Sequence, residues 1–65
     1  MTIIVNGQRE VIQPCTVDEL IQQKGLTAMS LIVELNRHII NQADWPQTHL
    51  QENDTLELLN FVGGG

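Results

Sequence analysis

The sequence is short of several things, and each shortage excludes a class of function. Cysteine occurs once, at Cys15, so no internal disulfide can form and no multi-cysteine metal site is available. A reducing compartment fits that usage. Tyrosine is absent, and the aromatic residues are Trp45 and Phe61 alone. Bases are scarce too: three Lys and Arg stand against eight Asp and Glu, a net charge of −5. Negative charge repels phosphate, so nucleic-acid binding is not expected. No apolar run is long enough to span a bilayer, and no charged lead with an apolar stretch follows Met1. Neither a membrane span nor a secretion signal is expected, and the expectation is a cytoplasmic protein.

What is present points to one small domain. Sixty-five residues, 42% of them apolar, suffice for one compact core. A chain of this size buries only roughly 60% of its unfolded surface, so its stability is marginal. Ile3-Ile4-Val5 is β-branched, and Asn6-Gly7 follows. That pair suits a type I′ turn, where both central residues need φ > 0, so Gln8 to Ile12 should return as a second strand. Pro14 ends it. Thr16-Val17-Asp18-Glu19 has the capping-box pattern, and Val17, Leu20 and Ile21 give one apolar helical face. Lys24 suits the negative C-terminal end of that helix, and Gly25 stands where a C′ glycine stops it.

Strands are expected again at Leu31–Leu35 and His38–Ile40, joined by a turn at Asn36-Arg37. Residues 41 to 48 are polar and irregular, with Pro46 able to start a brief helical turn and Leu50 a candidate core plug. A turn at Glu52-Asn53-Asp54 leads to a last strand from Thr55 to Val62. Alternation puts Leu56 and Leu58 on one face of it, and Glu57, Leu59 and Phe61 on the other. One helix cannot cover both faces of such a sheet, so Leu59 and Phe61 are expected to stay exposed. Exposed apolar groups together beside the chain's end suggest a docking surface formed by Glu57, Leu59, Phe61 and Val62.

The chain then closes on Gly63-Gly64-Gly65. Glycine orders at a high entropic cost and has no side chain to bury, so this tail adds little to folding. One reading is a frayed terminus. The other is a thread carrying a reactive carboxylate at Gly65, able to enter a channel where any Cβ would clash. Other residues offer weaker chemistry. Cys15 has no base cluster beside it and reads as inert. His38 and His49 lack companions at metal-ligand spacing. Trp45 is expected to act as a lid at the core edge. The acids are spread along the sequence, and capping, turns and solvation account for them. No glycine-rich phosphate loop precedes a helix, so the chain is not expected to bind ATP itself.

Asn6-Gly7, the helix signal from Thr16 to Gly25, Val33-Glu34-Leu35-Asn36, Trp45, Asp54 before Leu56-Glu57, and the closing Phe61-Val62-Gly63-Gly64-Gly65 together resemble the ThiS family, the sulfur carriers of thiamin biosynthesis. The resemblance covers essentially the whole chain. It departs from the family at Asn53, where glycine is common, and at Asn41-Gln42, where Pro-Arg is common.

The resemblance implies an α+β, ubiquitin-like β-grasp fold. A mixed sheet of four to five strands would carry one main helix on one face, with the first and last strands parallel at its centre. Residues 1–62 would form the domain and 63–65 a flexible tail. It also implies a function. A ThiF-like adenylating enzyme, using ATP and magnesium, would activate the Gly65 carboxylate. A persulfide donor would supply sulfur, and the resulting thiocarboxylate would pass it to a ThiG-like thiazole synthase. The chain would be a co-substrate rather than an enzyme, with no cofactor or metal of its own, and Gly63 and Gly64 would serve threading. Alternatives are a molybdopterin-type carrier, a ubiquitin-like protein modifier, or an interaction module with an inert tail.

Overall fold

A computed structural model describes residues 1–61 of the chain; the expectations placed on Val62, Gly63, Gly64 and Gly65 lie outside the described residues. Strands β1 (Thr2–Val5) and β2 (Gln8–Val11) form the opening hairpin, antiparallel with Ile3 opposite Glu10. Asn6 and Gly7 sit at φ 50 and 83, the two left-handed positions a type I′ turn requires. Helix α1 (Val17–Gln23) follows. Both halves of its capping box are made: the Glu19 N–H donates to Thr16 Oγ1 at 3.2 Å, and the Thr16 N–H donates to Glu19 Oε1 at 2.8 Å. A Schellman motif ends it, the Gly25 N–H donating to Gln22 O and the Leu26 N–H to Ile21 O, with Gly25 at φ +68.

Lys24 does more than complement the helix end. Its ammonium reaches Glu10 on β2 at 2.8 Å, tying the helix to the sheet edge. Exposed pairs of this kind contribute about 0–1 kcal/mol.

A short 3-10 turn at Ala28–Ser30, with no counterpart in the sequence reading, enters β3 (Leu31–Leu35). A second tight turn, with Asn36 and Arg37 at φ 49 and 74, leads into β4 (His38–Ile40). The polar stretch after it is more regular than expected, a 3-10 helix over Gln42–Gln47. The last strand, β5 (Thr55–Asn60), stops short of the Val62 limit expected for it, and Phe61 lies just outside it.

The five strands lie in the order β2-β1-β5-β3-β4. β5 is parallel to β1 and antiparallel to β3, so the last strand occupies the middle of the sheet. The sheet with its single main helix is the β-grasp arrangement. α1 covers one face only. Ile3, Val5, Leu31, Val33, Leu56 and Leu58 point toward it and bury Val17, Leu20 and Ile21. Leu50 is buried as the expected plug.

Trp45 corrects the sequence reading. It is no lid at the core edge but one of the most buried side chains, 1% exposed, and its indole N–H donates to Ile40 O at 3.0 Å. The reason is the 3-10 helix. It carries Trp45 inward as the single large apolar group of a polar segment. The Val17 N–H to Thr48 O and Leu50 N–H to Cys15 O bonds then hold that segment beside the start of α1.

Candidate functional site

The site is built around the end of β5. A central strand has neighbours on both sides, so its position is set by two ladders rather than one. On the β3 side, pairing runs from Leu35 opposite Leu56 to Leu31 opposite Asn60. Beyond it the Phe61 N–H donates to Ser30 O at 2.9 Å, and Ser30 Oγ donates to Asn60 Oδ1 at 2.9 Å. The 3-10 turn missed in the sequence thus grips the root of the tail.

On the other side β1 pairs only with Thr55 and Leu56. The Asn6 side chain then takes over. Its Oδ1 accepts the Leu58 N–H at 2.7 Å, and its Nδ2 lies 3.4 Å from Leu58 O. A side-chain amide has the same donor and acceptor as a peptide, so Asn6 stands in for one more strand residue. Asn36 does the same at the start of β5, accepting the Thr55 N–H at 3.0 Å and donating to Asp54 Oδ1 at 3.0 Å. The sequence marked both asparagines as turn residues; nothing in a turn signal shows that their side chains brace the tail-bearing strand.

The sheet face away from α1 carries Ile4, Ile32, Glu34, Ile39, Glu57 and Leu59. Ile32 lies opposite Leu59, and Glu34 opposite Glu57. Leu59 is 52% exposed and Phe61 47%, as the alternation predicted, and Ile39 on β4 joins them at 68%. Glu57 is partly covered. A depression of about 400 Å³, lined by Glu34, Asn36, Arg37, Thr55 and Glu57, indents the same face. Glu34 and Glu57, like-charged and opposite one another, cost roughly a few tenths of a kcal/mol. Arg37 lines the same depression and Arg9, opposite Ile4, lies on the same face, so the face carries both signs of charge beside its apolar groups.

The remaining candidates lie elsewhere. Cys15 is buried at the entrance to α1. Burial first, and the nearby Glu19 carboxylate second, push its thiol above the usual range, which disfavours the nucleophilic thiolate. His38 and His49 are exposed, and among the described residues no three His, Cys, Asp or Glu side chains come together as a metal site. No helix among the described residues is long and apolar enough to cross a membrane.

A model of the ThiS family matches residues 3–65. The chain belongs to that family. Relatives of the ThiS-family chain agree. The sulfur carrier protein ThiS of Bacillus subtilis is 34% identical over 50 residues, 77% of this chain and 76% of that one. The crystal structure of the thiamine biosynthesis protein ThiS from Geobacter metallireducens superposes with a TM-score of 0.87 at 29% identity, covering 100% of both chains. A thiazole synthase of Paramagnetospirillum magneticum is 30% identical over 66 residues, 100% of this chain. The chain spans 20% of the length of that relative.

The exposed face gives a direct expectation. If Leu59 serves docking, Leu59→Asp should weaken partner binding by about tenfold or more, because it would place a charge in a desolvated contact. The isolated domain should melt within a few degrees of wild type, since Leu59 already faces solvent. Titration of partner against both proteins, with circular dichroism as the folding control, checks it. Global unfolding of the variant would make Leu59 a core residue.

Proposed function

We propose that the chain is a sulfur carrier of thiamin (thiazole) biosynthesis and a co-substrate rather than a catalyst. The observation that supports this best is the match of residues 3–65 to the ThiS family, together with a Bacillus subtilis relative of similar length that is a sulfur carrier protein. The fold supports it in a physical way. The central strand carries Phe61, whose N–H is held by Ser30 O, out of the middle of the sheet.

In this reading the Gly65 carboxylate is the reactive group. A carboxylate is a poor electrophile because oxide would have to leave. Its oxygen attacks the α-phosphorus of ATP, pyrophosphate departs, and an acyl-adenylate forms. The terminal sulfur of a persulfide then attacks the acyl carbon and AMP leaves. The resulting acyl disulfide is cleaved by a thiol, which takes the other sulfur into a disulfide and leaves Gly65 as a thiocarboxylate. That anion is the sulfur nucleophile presented to a ThiG-like thiazole synthase.

A ThiF-like adenylating enzyme supplies the ATP site and the magnesium, and this chain binds no cofactor. Glu57, Leu59, Phe61 and Val62 serve docking, and Gly63 and Gly64 serve threading. A cytoplasmic setting, with its reduced thiols, belongs to the same reading.

Intact mass tests it. Incubation with ATP, the ThiF-like enzyme of the same genome and a sulfur donor should shift the chain by the replacement of one oxygen by sulfur. Deletion of Gly65 should abolish the shift. No shift in the wild-type chain, or an equal shift in the deletion, would refute the reading.

A further inference from the structure

β1 leaves the sheet at Val5, but β5 continues to Asn60. Along β5 the backbone alternates between its two neighbours. Thr55 and Phe61 face the β3 side, where Thr55 O accepts from the Asn36 N–H and the Phe61 N–H donates to Ser30 O. Asp54 and Leu56 face the β1 side, where Asp54 O accepts from the Ile4 N–H at 2.8 Å and Leu56 O from the Asn6 N–H at 2.9 Å. The period of two therefore turns the N–H and C=O of Leu58 and Asn60 to the β1 side as well. Among the described residues no strand remains there. The Asn6 side chain serves Leu58. The backbone N–H and C=O of Asn60 have no partner among the described residues, and Asn60 is exposed.

We propose that this bare edge of β5 accepts an extended segment of the activating partner as an added strand, so that the tail is recognised through its main chain. The proposal rests on the carrier reading above and names how the partner holds its substrate. The occupant follows from chemistry. Gly63, Gly64 and Gly65 have no side chains, so apart from the Gly65 carboxylate a protein that must seize this tail has only peptide N–H and C=O groups to bind. Strand addition is the way an edge offers those groups in register. Asn6 sets where it starts, because its amide already fills the position at Leu58. Ser30, bonded to the Asn60 side chain from the β3 side, leaves the opposite edge open.

Hydrogen exchange of the full chain, alone and bound to the ThiF-like enzyme without ATP, reads the edge directly. The Asn60 amide is expected to exchange at least about tenfold more slowly in the complex, as a newly paired strand amide does. Free-rate exchange at Asn60 in a complex that forms would overturn the proposal.

A second measurement uses Asn60→Pro, which removes the N–H where proline is tolerated, on an outward-facing strand edge. Asn60→Ala is its control, since it keeps the N–H and loses only the bond to Ser30. Asn60→Pro is expected to dock about five- to tenfold more weakly than Asn60→Ala, the effect of one backbone hydrogen bond. Equal affinities would overturn strand addition. If Asn60→Pro fails to fold, the exchange result on the wild-type chain decides alone. Sulfur loading of the wild-type chain separates the two levels: an edge that stays bare while loading proceeds removes this proposal only. A chain that neither docks nor loads removes the carrier reading as well.

Discussion

Trp45→Ala is expected to lower the midpoint of thermal unfolding by about 15 °C or more. Trp45 is 1% exposed and belongs to the same buried cluster as Val17, Leu20 and Ile21 of α1 and the inward side chains of the sheet. Truncating a buried tryptophan typically costs about 3–5 kcal/mol, partly for the lost transfer energy and partly for the cavity left behind. A chain of 65 residues has roughly 3–10 kcal/mol of stability in total, so the loss is comparable with the whole. Trp45→Phe separates the two contributions. It keeps most of the volume but removes the N–H that meets Ile40 O, a loss of about 0.5–1.5 kcal/mol for one hydrogen bond. Thermal melts followed by circular dichroism check both. A shift of only a few degrees for Trp45→Ala would show that residues 42–47 pack loosely and that the core is held by α1 and the sheet alone.

Trp45 also shows where the sequence stops being legible. Local devices could be read directly because each has a local cause. Asn6-Gly7 forms its I′ turn, Thr16 and Glu19 form their capping box, and Gly25 takes the left-handed position after the helix. The alternation in β5 correctly divided Leu56 and Leu58 from Leu59. Trp45 could not be placed that way, because one aromatic in a polar stretch has no period, and its depth depends on a 3-10 helix closed by tertiary bonds. Strand order is a second limit. A parallel β1–β5 pair joins residues 50 or so apart in sequence, and it followed from the resemblance to a family rather than from any pattern in the strands. The open edge at Asn60 is a third. It exists because β1 turns away at Asn6 after pairing only Thr55 and Leu56, while β5 runs on to Asn60, and no pattern within either strand states that parallel register. The exposed apolar face was legible in part: the exposure of Leu59 and Phe61 was expected, whereas Ile39 and Glu34 needed the register to bring them alongside.

Gly64→Val is expected to cut the rate of sulfur loading by about a hundredfold or more while leaving the melting temperature unchanged. The glycines of this chain are under two different constraints. Gly7 and Gly25 serve the fold: both hold positive φ, at +83 and +68, and a Cβ at either would meet open space, so their cost on substitution is backbone strain rather than collision. Gly64 follows the last described strand, and the carrier reading gives it a different constraint. The tail must lie in a channel with its carboxylate aligned on the α-phosphorus of ATP. A branched side chain next to that carboxylate displaces it, and a misplacement of about 1 Å at a reacting centre costs about a hundredfold in rate. Gly25→Val provides the opposite arm, a lower melting temperature with loading retained in the folded fraction. Intact mass against time, run below the melting temperature of every variant, distinguishes the two. Loading of Gly64→Val at the wild-type rate would mean that the tail is never threaded, and the activation step would then have to occur on an exposed end.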